Sequence, residues 1–258
     1  MTVVITGGSS GIGRALCTEF KKRGAKVYEL SRSYERNSGV IHKPCDITDP
    51  AQIEKALEGI DKIDILINNA GFGISGACEY ITEESAKALF NVDFFGTDNL
   101  CRAVIPKMQK CGGGKIINIS SVAAVAPIPF QAHYSAAKAA INAYSQALSI
   151  EVKPFNIQVS AIMPGDIKTS FTESRQKNIL GDEKYMGRIG RSVLKMEKDE
   201  KEGMLPEKAA KRIADISLKK KLKPLYSVGF VYSLLSVLAS ILPSSLRIWI
   251  IGLLYGGK

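Results

Sequence analysis

Five short apolar runs recur along the chain with helical patterns between them: VVIT (3–6), KVYEL (26–30), IDILINN (63–69), KIINIS (115–120) and IQVSAIMP (157–164). Strands this short and apolar are buried on both faces, which requires a parallel sheet with helices above and below it. Right-handed crossovers then make the sheet doubly wound. The helical patterns fall at 13–24, 50–60, 83–108, 134–152 and 206–218, with Pro50 and Pro206 where a first-turn proline belongs and Gly24 where a helix stops. With 258 residues, 45% of them apolar, one α/β domain can bury a full core.

The formal charge of +10 comes from scattered Lys and Arg, with one cluster at Lys219, Lys220, Lys221 and Lys223. A scattered surplus suits an anionic cofactor, solubility or an acidic membrane rather than nucleic acid. Cys17, Cys45, Cys78, Cys101 and Cys111 are odd in number and far apart, without a C-x-x-C pair and with two histidines in the whole chain. Reduced thiols in a cytoplasmic setting and no metal site are therefore expected. MTVVITGG has neither a charged leader nor a long apolar core, so no secretory signal is expected.

The first strand ends in TGGSSGIG (6–13), a glycine turn opening a helix, where backbone N–H groups and the positive helix end can hold a pyrophosphate. As a bare pattern this is an ordinary tight turn, since the glycines do not keep the G-x-G-x-x-G spacing. It does not stand alone. In order along the chain come Asp46, Asn68-Asn69-Ala70-Gly71, Asn91, Ser121, Tyr134-x-x-x-Lys138 and Pro164-Gly165. Together these residues resemble the short-chain dehydrogenase/reductase family of nicotinamide-dependent oxidoreductases.

The resemblance implies a single-domain Rossmann fold. Residues 1–170 would be the cofactor-binding and catalytic core, 171–227 a substrate loop and helix, and 228–258 apolar C-terminal helices. It implies that Gly7, Ser9, Ser10, Gly11, Ile12 and Gly13 line the cofactor phosphates and that Asp46 and Ile47 meet the adenine. Asn69, Ala70 and Gly71 would lie along the cofactor, with Pro164, Gly165, Ile167 and Thr169 at the nicotinamide. At the end of the second strand, Ser31 stands where NAD-using members carry Asp, and Arg32 follows it. A 2′-phosphate needs a cation and no acid at that place, so NADP is expected, held by Arg32 and Ser33. Glu29 lies about 20 residues past the turn, where the general fingerprint expects an acid, but two positions early for this family.

Residues four apart share a helix face, so Tyr134 and Lys138 can point into one site. A free tyrosine titrates near 10, and a neighbouring ammonium lowers that value toward working range. His133 lies before this face. By resemblance, Ser121, 13 positions ahead of Tyr134, hydrogen-bonds the substrate oxygen. Lys138 binds the nicotinamide ribose as well as tuning Tyr134, and Asn91 is the fourth catalytic residue.

The charged stretch MEKDEKEG (196–203) reads as exposed or mobile. Val228–Leu242 and Leu246–Tyr255 are apolar, but each is shorter than the roughly 20 residues of a spanning helix. They either bury against the core or a partner subunit, or lie on a membrane surface. The tail resembles that of members acting on steroids, retinoids and other lipids, so a hydrophobic alcohol or ketone is the expected substrate. Hydroxysteroids, bile acids and retinoids fall in that class. A 3-oxoacyl-thioester reductase is the alternative enzyme, and a non-catalytic NADP-binding sensor or scaffold the alternative of another class. The family forms homodimers and homotetramers.

Overall fold

The computed structural model describes residues 1–33 and 39–256, with the side chain of Ser240 excepted. The chain opens with β1 (Thr2–Thr6), α1 (Gly11–Lys22), β2 (Lys26–Ser31), β3 (Ile41–Pro44), α2 (Pro50–Ala56) and β4 (Ile65–Asn68). The middle third holds a short β5 (Ile74–Ser75), α3 (Glu83–Phe90), α4 (Gly96–Lys110), β6 (Gly114–Ile119) and α5 (Ala132–Glu151). Then follow β7 (Ile157–Pro164), α6 (Phe171–Ser174), β8 (Gln176–Lys177), α7 (Arg188–Lys201) and α8 (Pro206–Ser217). The last elements are β9 (Leu225–Val228), α9 (Phe230–Ile241) and α10 (Ser244–Tyr255).

Seven strands form one sheet in the order β3-β2-β1-β4-β6-β7-β9, every pairing parallel. The winding reverses between β1 and β4, and in such a sheet the crevice beyond the strand ends at that point is where ligands bind. Each face has its own core. Val4, Leu66 and Ile116 pack with Leu100 and Val104 of α4 on one side, and Ile5 and Ile117 with Leu16, Phe20 and Ile213 of α1 and α8 on the other. Both faces are thus covered, as the apolar strands require.

Three features differ from the sequence expectations. The sheet gains β3 and β9 at its two edges, where half-exposed strands carry no continuous apolar run. The expected helix at 83–108 is interrupted by a π-helical turn over Asn91–Phe95, closed by a bond from the Gly96 N–H to the Asn91 carbonyl. MEKDEKEG lies almost wholly within α7, whose Ile189, Val193 and Met196 are buried. Its charges are the outer face of an amphipathic helix rather than a mobile loop.

Candidate active site

A cleft of roughly 710 Å³ opens at the carboxyl ends of β1, β2, β4, β6 and β7. The glycine turn forms its floor. Gly7 holds a left-handed φ of 65°, and a Cβ there would stand 2.8 Å from the Ala70 Cα, so a glycine is required for β1 and β4 to deliver their loops this close together. The Thr6 hydroxyl accepts from the N–H groups of Asn69 and Ala70 at 2.9 and 3.0 Å, while the Asn69 amide donates back to the Thr6 and Gly7 carbonyls. These bonds fix Asn69, Ala70 and Gly71 along the cleft wall.

Gly7, Ser9, Ser10, Gly11 and Ile12 line the cleft, with the unpaired N–H groups of the α1 terminus behind them. Gly13 does not. A Cβ on Gly13 would lie 2.1 Å from the Gly7 carbonyl oxygen, so this glycine lets α1 begin directly under the turn instead of touching a ligand. Glu29 lies beneath the turn, fully buried, its Oε1 accepting from the Gly8 N–H at 2.9 Å and its Oε2 2.7 Å from His42 Nδ1. It supports the cradle from below and does not line the cleft.

Arg32 and Ser33 line the end of the cleft beyond β2, and both are exposed. Asp46 and Ile47 line the same end. The Asp46 carboxylate accepts from the Thr48 N–H and hydroxyl at 2.9 and 2.7 Å, which shapes the turn into α2. At the opposite end stand Pro164, Gly165, Ile167 and Thr169. A Cβ on Gly11 would lie 3.3 Å from the Thr169 Cβ, and one on Gly165 would overlap the Tyr232 ring. The closeness of bare backbone, helix terminus and hydroxyls fits a dinucleotide along this cleft.

The residues expected to carry the reaction lie between the ends. Tyr134 and Lys138 are both buried on α5, with the Lys138 Nζ 5.6 Å from the phenol ring centroid. Ser121, at the head of the turn after β6, lines the cleft together with Tyr134, and its hydroxyl accepts from the Ala123 N–H at 3.1 Å. His133 is not among the lining residues.

Asn91 is misplaced by the sequence reading: it is exposed, at the end of α3, and does not line the cleft. The residue facing Lys138 from this segment is Asp93, two positions on. Asp93 is 1% exposed, with Oδ2 2.9 Å from the Lys138 Nζ and Oδ1 accepting from the Phe72 N–H at 3.0 Å. Residues two apart lie on opposite sides of a helix, so with Asn91 on the exposed side Asp93 faces inward.

Asp93 also changes the expected titration. Burial pushes the Tyr134 phenol up, Lys138 pulls it down, Asp93 pushes it up again, and the outcome lies above the ordinary value rather than below it. Burial alone would pull Lys138 down. The Asp93 carboxylate and the Tyr134 phenol together outweigh that, and the ammonium is held above its usual range. Burial pushes the Asp93 carboxyl up against the pull of Lys138.

Three further residues were not foreseen. The Phe171 ring lies 5.8 Å from that of Tyr134, Arg175 is 5.6 Å from the Phe171 ring, and Glu200 of α7 pairs with Arg175. All three line the cleft at the substrate end. Nothing in FTESRQK or MEKDEKEG marks them, because their meeting depends on α6 folding back on α7. Among the described residues no group of His, Cys, Asp and Glu could hold a metal ion.

A family model described as short chain dehydrogenase matches residues 1–180. A 3-ketodihydrosphingosine reductase of Bacteroides thetaiotaomicron is 41% identical over 244 residues, covering 90% of this chain and 91% of the relative. A 3-oxoacyl-[acyl-carrier-protein] reductase of Chlamydia trachomatis is 34% identical over 194 residues, 69% of this chain and 78% of that protein. Among solved structures, a short-chain dehydrogenase from Streptomyces avermitilis superposes with a TM-score of 0.82 at 27% identity, covering 96% of this chain and 94% of the other.

Proposed function

The chain belongs to the short-chain dehydrogenase family of oxidoreductases, and from that premise we propose that it reduces the ketone of a long-chain, lipid-like substrate with NADPH. The observation that carries this is the buried Tyr134 beside Lys138 in a cleft that Ser121 also lines, with Tyr232 of the apolar helix α9 packed on the Gly165 turn at one end.

A nicotinamide cofactor bound in the cleft supplies the hydride. Tyr134 gives its phenolic proton to the carbonyl oxygen as charge develops there, and the Ser121 hydroxyl donates a hydrogen bond to the same oxygen. Lys138 holds the electrostatic balance of the phenol. Phe171, its ring tilted against that of Tyr134, offers apolar surface to a chain.

Two features support NADPH. Arg32 and Ser33 line the adenine-ribose end, and Glu29, the acid that could have bonded a ribose diol, has its carboxylate engaged by Gly8 and His42 beneath the turn. A chain-bearing ketone is supported by the 3-ketodihydrosphingosine reductase relative and by the α9–α10 hairpin. Phe230 is 84%, Ile241 72% and Trp249 61% exposed on the hairpin's outer face. That face suits contact with a lipid surface. Among the described residues no helix is long and apolar enough to cross a membrane.

The test is loss of nicotinamide absorbance with 3-ketodihydrosphingosine, a ketosteroid, retinal and an acetoacetyl thioester, each with NADPH and with NADH. Turnover confined to the thioester would establish the second reading, which the Chlamydia relative favours. A clear NADH preference would remove the cofactor assignment.

A further inference from the structure

We propose that Asp93 is a positioning residue that holds the Lys138 ammonium in place and cancels its field at Tyr134, so that the site rests with its phenol protonated and ready to reduce a ketone. The proposal rests on the oxidoreductase reading above for its link to turnover, and on geometry for the rest.

Asp93 is set on the π turn with its two oxygens divided between Lys138 and the Phe72 N–H. The second bond ties it to the wall after β4, so the carboxylate is fixed with respect to both α5 and the cofactor strand. The resemblance to known dehydrogenases implies a neutral asparagine at the lysine from this segment, and here a carboxylate takes that place. An ammonium acting alone would favour the phenolate, whereas an ammonium paired at 2.9 Å presents Tyr134 with a dipole of zero net charge. The other charged group acting on Tyr134 is Arg175, which follows α6 and is paired with Glu200 of α7. Behind the π turn, Cys101, Asp98 and Tyr144 of α4 and α5 act on one another. Burial and Asp93 both push the phenol up, in agreement with the geometry.

Asp93→Asn keeps an oxygen for the Phe72 N–H and removes the charge. Its first readout is the tyrosinate absorbance of the free protein, with the Tyr134 component isolated by subtracting the same titration of the Tyr134→Phe versions. Loss of Asp93 should move that component at least one pH unit lower, a tenfold change in ionisation constant. The second readout is the pH profile of ketone reduction, whose alkaline limb should move down by the same amount because the acid is lost earlier. Coincident titrations of the wild type and Asp93→Asn would overturn the proposal. Should Asp93→Asn fail to fold, Asp93→Ser is titrated in its place with the same expectation. A wild type that turns over no carbonyl substrate would sink the functional reading, while the absorbance titration would still decide the role of Asp93.

Discussion

Replacing Glu29 by leucine separates two roles that an acid near the glycine turn could have. The carboxylate is fully buried, accepts from the Gly8 N–H at 2.9 Å and lies 2.7 Å from His42 Nδ1. Leucine fills nearly the same volume and supplies no acceptor, so the Gly8 N–H is left buried without a partner, at a cost of about 1–3 kcal/mol. His42 is 26% exposed at its side chain and regains water, so its loss is the smaller share. The expected destabilisation is about 2–3 kcal/mol, or roughly 4–6 °C in Tm for a chain of this size. The turn above it relaxes as well, so KM should rise for NADPH and NADH together. Thermal denaturation and paired cofactor titrations read both effects. Unchanged Tm with a shift only in the NADPH-to-NADH ratio would refute the buried support and place Glu29 at the ribose.

Other outcomes are equally direct. Tyr134→Phe should lower kcat by about 10²–10⁴-fold and Ser121→Ala by about 10²–10³-fold, with cofactor binding by fluorescence unchanged in both; wild-type turnover in either would remove that residue from the chemistry. Arg32→Ala should raise the KM for NADPH about tenfold or more and leave that for NADH alone, and an equal change in both would show that the guanidinium meets no 2′-phosphate. Burial pushes the thiols of Cys17 and Cys101 up to about 12 and that of Cys45 up to about 11, whereas Cys78 and Cys111 are exposed. A disulfide reagent at pH 8 should therefore meet two fast thiols in the folded protein and five after denaturation, and a third fast thiol would contradict the burial. The chain has one tryptophan, Trp249, on the outer face of α10. Its emission should shift to the blue with anionic vesicles if the hairpin meets lipid; an unchanged spectrum alongside concentration-dependent self-association would assign that face to a second copy.

The central strands, the glycine turn and the Tyr134–Lys138 pair were legible in the sequence because each rests on local periodicity or on a spacing that α-helix geometry preserves. The edge strands were not, since β3 and β9 are stabilised from one side and carry no apolar run. Asn91 failed for a different reason. Asn91 and Asp93 lie two positions apart on opposite sides of one helical segment, and nothing local says which side meets Lys138, so the acid that faces it was passed over. Gly13 sits at the right spacing for the phosphates, yet its demand is steric and comes from the Gly7 carbonyl. Arg175 and Glu200 are 25 residues apart and meet through tertiary folding of α6 on α7, which no local pattern encodes.

The carboxylates around the cleft share an arrangement that the charge count alone hides. Glu29 is bound by Gly8 and His42, Asp93 by Lys138 and Phe72, Asp46 by Thr48, and Glu200 by Thr172 and Arg175. Asp166 is capped by the Tyr232 hydroxyl, and burial pushes its carboxyl up. Each acid is engaged by protein donors, and Asp93 and Glu200 are in addition neutralised by Lys138 and Arg175. Tyr232 belongs to α9, and its ring occupies the space that any side chain at Gly165 would need, so the apolar hairpin is fastened directly to the turn at the nicotinamide end. Tyr255 of α10 is fastened in turn to Asp199 of α7, one residue before Glu200. The two helices are thereby tied to the substrate end of the cleft, through Asp166 on one side and the α7 segment that carries Glu200 on the other. Tyr232→Phe tests this coupling: it should release Asp166 and raise KM for a long-chain ketone while leaving that for a short ketone unchanged. An equal change for both chain lengths would show that the hairpin acts on the cofactor turn alone.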